Sequence, residues 1–156
     1  MPPPANDIES EQNVLVQQVE LACGFFRKKD SQSFLARSVG IIGMLRRDPK
    51  AIDAFIKLVD RYSQNRKYHA LVAIAFIAAR DFKDEKNHVV LVSSLTTIIN
   101  EMPKVALGVV SQLLAMRADD VALVSSRLIV HTRPNDPDAS NMVGACLLYK
   151  SELDDA

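Results

Sequence analysis

Residues 68–79 of this 156-residue chain read Tyr-His-Ala-Leu-Val-Ala-Ile-Ala-Phe-Ile-Ala-Ala, a run without a charge, a glycine or a proline. A helix of that composition is apolar on every side and must be covered on every side. The stretch is therefore expected to be the central helix of one all-helical domain, with amphipathic helices before and after it supplying the cover. It falls well short of the roughly 20 apolar residues that a membrane-spanning helix needs.

Outward from this run, the flanking sequence repeats one pattern of three-four apolar spacing. A first helix is expected over residues 9–28, capped by Asp7 or Ser10, with Leu15, Val19, Ala22 and Phe26 inward. A second covers 31–47, with Phe34, Leu35, Val39, Ile42 and Leu45 inward and with Gly40 and Gly43 kept for close approach of another helix. The sharpest boundary is Asp48-Pro49, an N-cap followed by proline at the first helical position, where the missing amide hydrogen would be unpaired anyway. The third helix, 49–63, follows with Ile52, Phe55, Ile56, Val59 and Tyr62 on one stripe. The central helix is expected over 66–80, a fifth over 87–102 and a sixth over 103–117. A seventh, capped by Asp119 or Asp120, runs to about 132, and an eighth covers 139–153 with Met142, Cys146, Tyr149 and Leu153 on one stripe.

The whole reads as an all-α fold, one compact irregular bundle of seven to eight helices over residues 9–153. A disordered tail over 1–8, opened by Pro2-Pro3-Pro4, precedes it, and a frayed end over 154–156 follows. A repeat of helical hairpins is the alternative. Leu-Val-Ser-Ser recurs at 91 and 123, and Arg-Asp recurs at 47 and 80, but a solenoid would not need one helix buried on all sides.

Composition narrows the function classes. Hydrophobic residues make up 48% and charged ones 24%, with 5 glycines and no tryptophan, which fits a helical globular domain rather than a loop-rich all-β one. Cys23 and Cys146 each lie in an apolar helical stretch and are expected as free thiols in a reducing compartment. No basic segment leading into an apolar one opens the chain, so a soluble intracellular protein is expected. His69, His88 and His131 stand in no catalytic or metal-binding spacing, and no Cys-x-x-Cys, nucleophile elbow or phosphate-binding loop is present. No enzyme, cofactor, metal or small-molecule substrate is expected.

Charge carries the one signal of a partner. The formal net charge is +0, yet residues 27–67 hold eleven bases against four acids. Arg27, Lys28, Lys29, Arg46 and Arg47 fall at expected helix C-termini, where the helix dipole favours cations. Arg66 and Lys67 are expected to open the central helix, where it disfavours them. Together with Lys50 and Arg61, these nine form a candidate basic patch for phosphates or an acidic surface. Tyr62 and Tyr68, in the same stretch, are candidates for stacking on bases.

Two functional expectations result. One is a non-enzymatic domain for protein–protein interaction or structural assembly, self-association included. The other is a structural protein that binds RNA or an anionic membrane through residues 27–67. Residues 140–149, Ser-Asn-Met-Val-Gly-Ala-Cys-Leu-Leu-Tyr, resemble a helix of influenza-type matrix proteins. The resemblance implies a structural role of that second kind and assigns no residue a function.

Overall fold

The computed structural model describes the backbone of residues 3–155 and the side chains of 14–151. Eight α-helices follow one another: α1 (Pro3–Arg27), α2 (Ser31–Arg47), α3 (Pro49–Tyr62), α4 (His69–Asp81), α5 (His88–Glu101), α6 (Pro103–Ala115), α7 (Asp119–Thr132) and α8 (Pro137–Asp155). One turn of 3-10 helix, Arg66–Tyr68, precedes α4. Among the described residues there is no strand, and no single helix is long and apolar enough to cross a membrane.

The apolar run does become the core. Every residue of α4 from Ala70 to Ala79 is buried, and α4 packs against α1, α2, α3, α5, α6 and α7. Contact with helices from both halves of the chain is the geometry of a bundle around a strut, and a stack of hairpins touching only its neighbours does not produce it. Leu15, Val19, Ala22 and Phe26 of α1, Ile52, Phe55 and Val59 of α3, and Leu91, Leu95, Ile98 and Ile99 of α5 close around it. Asp48 caps α3 as its sequence requires: its carboxylate accepts the Lys50 amide at 2.9 Å, and Pro49 takes the first helical position.

Several local expectations are corrected. The helix α1 starts at Pro3, ahead of residue 9, and the side chains of its expected caps Asp7 and Ser10 lie outside the described residues, as do those of Leu153 and all of residues 1, 2 and 156. Val39 is 68% exposed rather than inward. The buried line of α2 instead runs Phe34, Ser38, Ile41, Ile42 and Leu45. Ser38 can lie in the core because its hydroxyl donates to the Phe34 carbonyl at 2.8 Å, which satisfies it locally. A Cβ at Gly40 or Gly43 would meet nothing within 4 Å, so no helix approaches there. Ala118, not an aspartate, is the N-cap of α7, and Asp119 is its first residue.

The central helix also begins later than residue 66. The Asn65 side chain accepts the Lys67 amide at 3.0 Å and the Asn65 carbonyl accepts the Tyr68 amide at 2.8 Å. These bonds close a separate tight turn, and the α-helical pattern starts only at His69.

Candidate functional site

The bundle has two ends, and helix direction decides which charges meet. Arg27 closes α1, and Lys28 and Lys29 form its link to α2. Arg61 lies in the last turn of α3, and Arg66 and Lys67 lie in the 3-10 turn before α4. Arg27 and Lys67 both act on the thiol of Cys23 in α1, which places the end of α1 beside the start of α4. Six of the nine candidate cations, Arg27, Lys28, Lys29, Arg61, Arg66 and Lys67, thus share one end of the bundle. All six are exposed, and among the described residues none takes part in an ion pair.

Arg46, Arg47 and Lys50 lie at the other end. Arg46 Nε is 2.9 Å from Glu85 Oε1, its Nη2 donates to the Asp81 carbonyl at 3.4 Å, and its guanidinium lies 4.8 Å from the centre of the Phe82 ring. These contacts tie the C-terminus of α2 to that of α4. At 1.5 Å per residue, the 13 residues of α4 separate the two groups by about 20 Å.

Tyr62 and Tyr68 form the centre of the cationic end. Their ring centroids are 4.5 Å apart with planes inclined at 35°. The Arg61 guanidinium lies 5.3 Å from the Tyr62 centroid, and Lys67 Nζ lies 5.4 Å from that of Tyr68. Both rings are half-buried. They act as one aromatic unit joining α3 to the 3-10 turn, and each ring carries a cation held by its quadrupole.

Two of the acids at this end have other tasks. Asp30 Oδ1 accepts the Ser33 amide at 3.2 Å as the cap of α2, and Asp60 accepts the Ser94 hydroxyl at 2.9 Å. Half-buried His69 has its pKa pushed down, first by burial and then by the Arg66 charge. Burial drives the Cys23 thiol up to about 11, against the opposite pull of Arg27. Cys146 is also raised, by burial.

A seventh cation belongs here that the sequence reading did not single out. The Ser31 hydroxyl donates to the Met116 carbonyl at 2.7 Å, and the Gln112 amide donates to the Phe26 carbonyl. These bonds bring the α6–α7 turn against the α1–α2 turn. Arg117 stands in that turn, 3.2 Å from Asp119 and 5.3 Å from the Tyr149 ring centroid. Both turns hold a cation in the left-handed backbone region, Lys29 at φ 59 and Arg117 at φ 62. Glycine is the usual residue there, because a Cβ crowds the carbonyl. No glycine marks either stop in the sequence, so nothing there announced the left-handed turn.

The other two histidines do not gather with these. His88 Nδ1 is 2.9 Å from the Ala79 carbonyl, near the far end of α4, and His131 is exposed at the end of α7. The cationic end can therefore bind negative charge through many long, independent donors. Comparison with protein-family models, with curated proteins and with solved structures finds no match for this chain.

Proposed function

We propose that this chain is a non-enzymatic structural domain that binds single-stranded RNA through the cationic end of the bundle. The observation that carries the reading is the set of six exposed cations without ion-pair partners among the described residues, drawn from three chain segments to the end of the bundle that holds the Tyr62–Tyr68 pair. The dipole accounts for cations at the ends of α1 and α3, but it opposes Arg66 and Lys67 ahead of α4. An anionic partner gives those two a role. RNA is favoured over a membrane surface because no large exposed apolar residue lies within residues 27–31 or 61–69 to act as an anchor.

The test is binding of a fluorescently labelled single-stranded RNA to the full chain across salt concentrations. Six phosphate contacts on a single strand give a log–log salt slope of about −4. Joint replacement of Lys29, Arg61, Arg66 and Lys67 by glutamine should flatten that slope and weaken binding at least tenfold. Replacing Arg46 and Arg47 should change little. Equal losses from both sets, or binding insensitive to salt, would overturn the proposal. So would binding to anionic vesicles in preference to RNA.

One observation supports a second reading, association with protein or with another copy. On α8, Leu147 and Leu148 are 45% and 61% exposed, beside Tyr149. Light scattering that finds a monomer at every concentration, unchanged by Leu148→Ser, would count against it.

A further inference from the structure

At the opposite end of α4 from the cations just described lies a pocket of about 370 Å³ between α4, α5 and α7. That is near the low end of the roughly 300–1,000 Å³ range of small-molecule sites. Its depth is set by Phe76, which is only 2% exposed and belongs to the central helix, while Val92, Val124 and Leu128 form the walls. Arg80, Lys83 and His88 add polar groups, Ala79 and Ser125 complete the lining, and no acid is part of it.

The polar groups have free capacity. The Ala79 carbonyl can only accept, so His88 Nδ1 carries the hydrogen in that bond and Nε2 is left over. Arg80 binds Asp81 through Nε and one Nη, which leaves other N–H donors. Lys83 is exposed and has no ion-pair partner among the described residues.

No other cavity described combines these features. The α3–α5 groove has acids, Asp60 and Glu101, and no cation in its lining, and the α1–α3 groove mixes Lys50, Lys57 and Arg61 with Asp53.

We infer that the α4–α5–α7 pocket binds a medium-chain acyl carboxylate, with the chain against Phe76, Val92, Val124 and Leu128 and the carboxylate at Lys83 and Arg80. An apolar body selects a chain, and Lys83, with the Arg80 donors that Asp81 leaves free and no acid in the lining, selects a negative head. The site is independent of RNA binding and about 20 Å away from it along α4.

The test uses the full chain with labelled methyl groups and decanoate as the probe, below the concentration at which it forms micelles. Decanoate should shift the methyl resonances of Val92, Val124 and Leu128 saturably. Decanol, the same chain without charge, should bind at least about tenfold more weakly. Lys83→Gln, an exposed change, should weaken decanoate by a similar factor and leave decanol and RNA binding as they were. Val124→Trp, at a position 43% exposed, should fill the pocket and abolish both. Equal binding of decanol and decanoate, no effect of Lys83→Gln, or shifts confined to other methyls would overturn the inference. Shifts produced by phosphatidylglycerol vesicles but not by decanoate would also overturn it.

Discussion

Lys29→Gly separates what the fold wants from what the surface wants. Lys29 closes α1 with paired capping bonds: the Asp30 amide donates to the Phe25 carbonyl at 3.0 Å and the Lys29 amide to Phe26 at 3.1 Å, with φ at 59. Holding a side chain in the left-handed region costs about 1–2 kcal/mol. Glycine removes that cost but widens the unfolded ensemble, which gives back about 0.4–1 kcal/mol. The expected net is a gain of up to about 1.6 kcal/mol, or up to about 3–6 °C in Tm for a domain of this size. Urea denaturation should show a higher midpoint at unchanged slope, while RNA affinity falls. Arg117→Gly is the control, since its turn has the same form, with Ala118 donating to Leu113 at 2.9 Å and φ at 62. There the gain is outweighed. Asp119 is 6% exposed, its other oxygen has no partner among the described residues, and losing Arg117 removes a charge-assisted bond of about 1.5–3 kcal/mol. Arg117→Gly should therefore lower the midpoint. If Lys29→Gly lowers it too, or if the two variants shift it alike, the account of strained cations is wrong.

Gly40→Ala places a methyl group in open space on an exposed helix face, so the urea midpoint should rise by about 1 kcal/mol equivalent. Arg46→Gln loses an exposed ion pair and a ring contact at Phe82; destabilisation under about 2 kcal/mol with RNA affinity intact is expected from paired denaturation and binding curves. The folded His69 pKa is lowered, so the unfolded chain takes the proton more readily. The contribution of His69 is then present above about pH 6.5 and is lost as the pH falls through the folded value; His69→Gln should flatten that part of a stability–pH curve. With the Cys23 thiol raised to about 11 by burial, iodoacetamide at pH 8 should label it only in urea. Rapid labelling of the native chain would show that Cys23 is not enclosed.

The core was legible because residues 68–79 left no polar face to place in solvent. Val39 was misplaced because apolar spacing alone cannot tell a buried valine from an exposed one when a neighbouring serine bonds back to its own helix, as Ser38 does. The charges were legible as residues but not as a surface. Alternating helix direction through α1–α4 was the missing step: the links after α1 and α3 fall at one end and the link after α2 at the other, which puts residues 46–50 away from 27–29 and 61–67. The late start of α4 depended on Asn65 acting as a cap, a signal readable in hindsight from its side chain. Left-handed backbone at Lys29 and Arg117 had no sequence mark, because the residue that announces it is glycine.

The bonds from Ser31 to Met116 and from Gln112 to Phe26 span 85 and 86 residues of chain. Loops of that length close late, after local helices have formed. A nascent chain that has emerged as far as α4 already carries the six cations of residues 27–67 at this end, yet it lacks Arg117 and the α6–α7 turn that fixes the first three of them. Competence to bind should thus arrive with the second half of the chain and trail the appearance of helix, so the timing of synthesis itself separates folding from function.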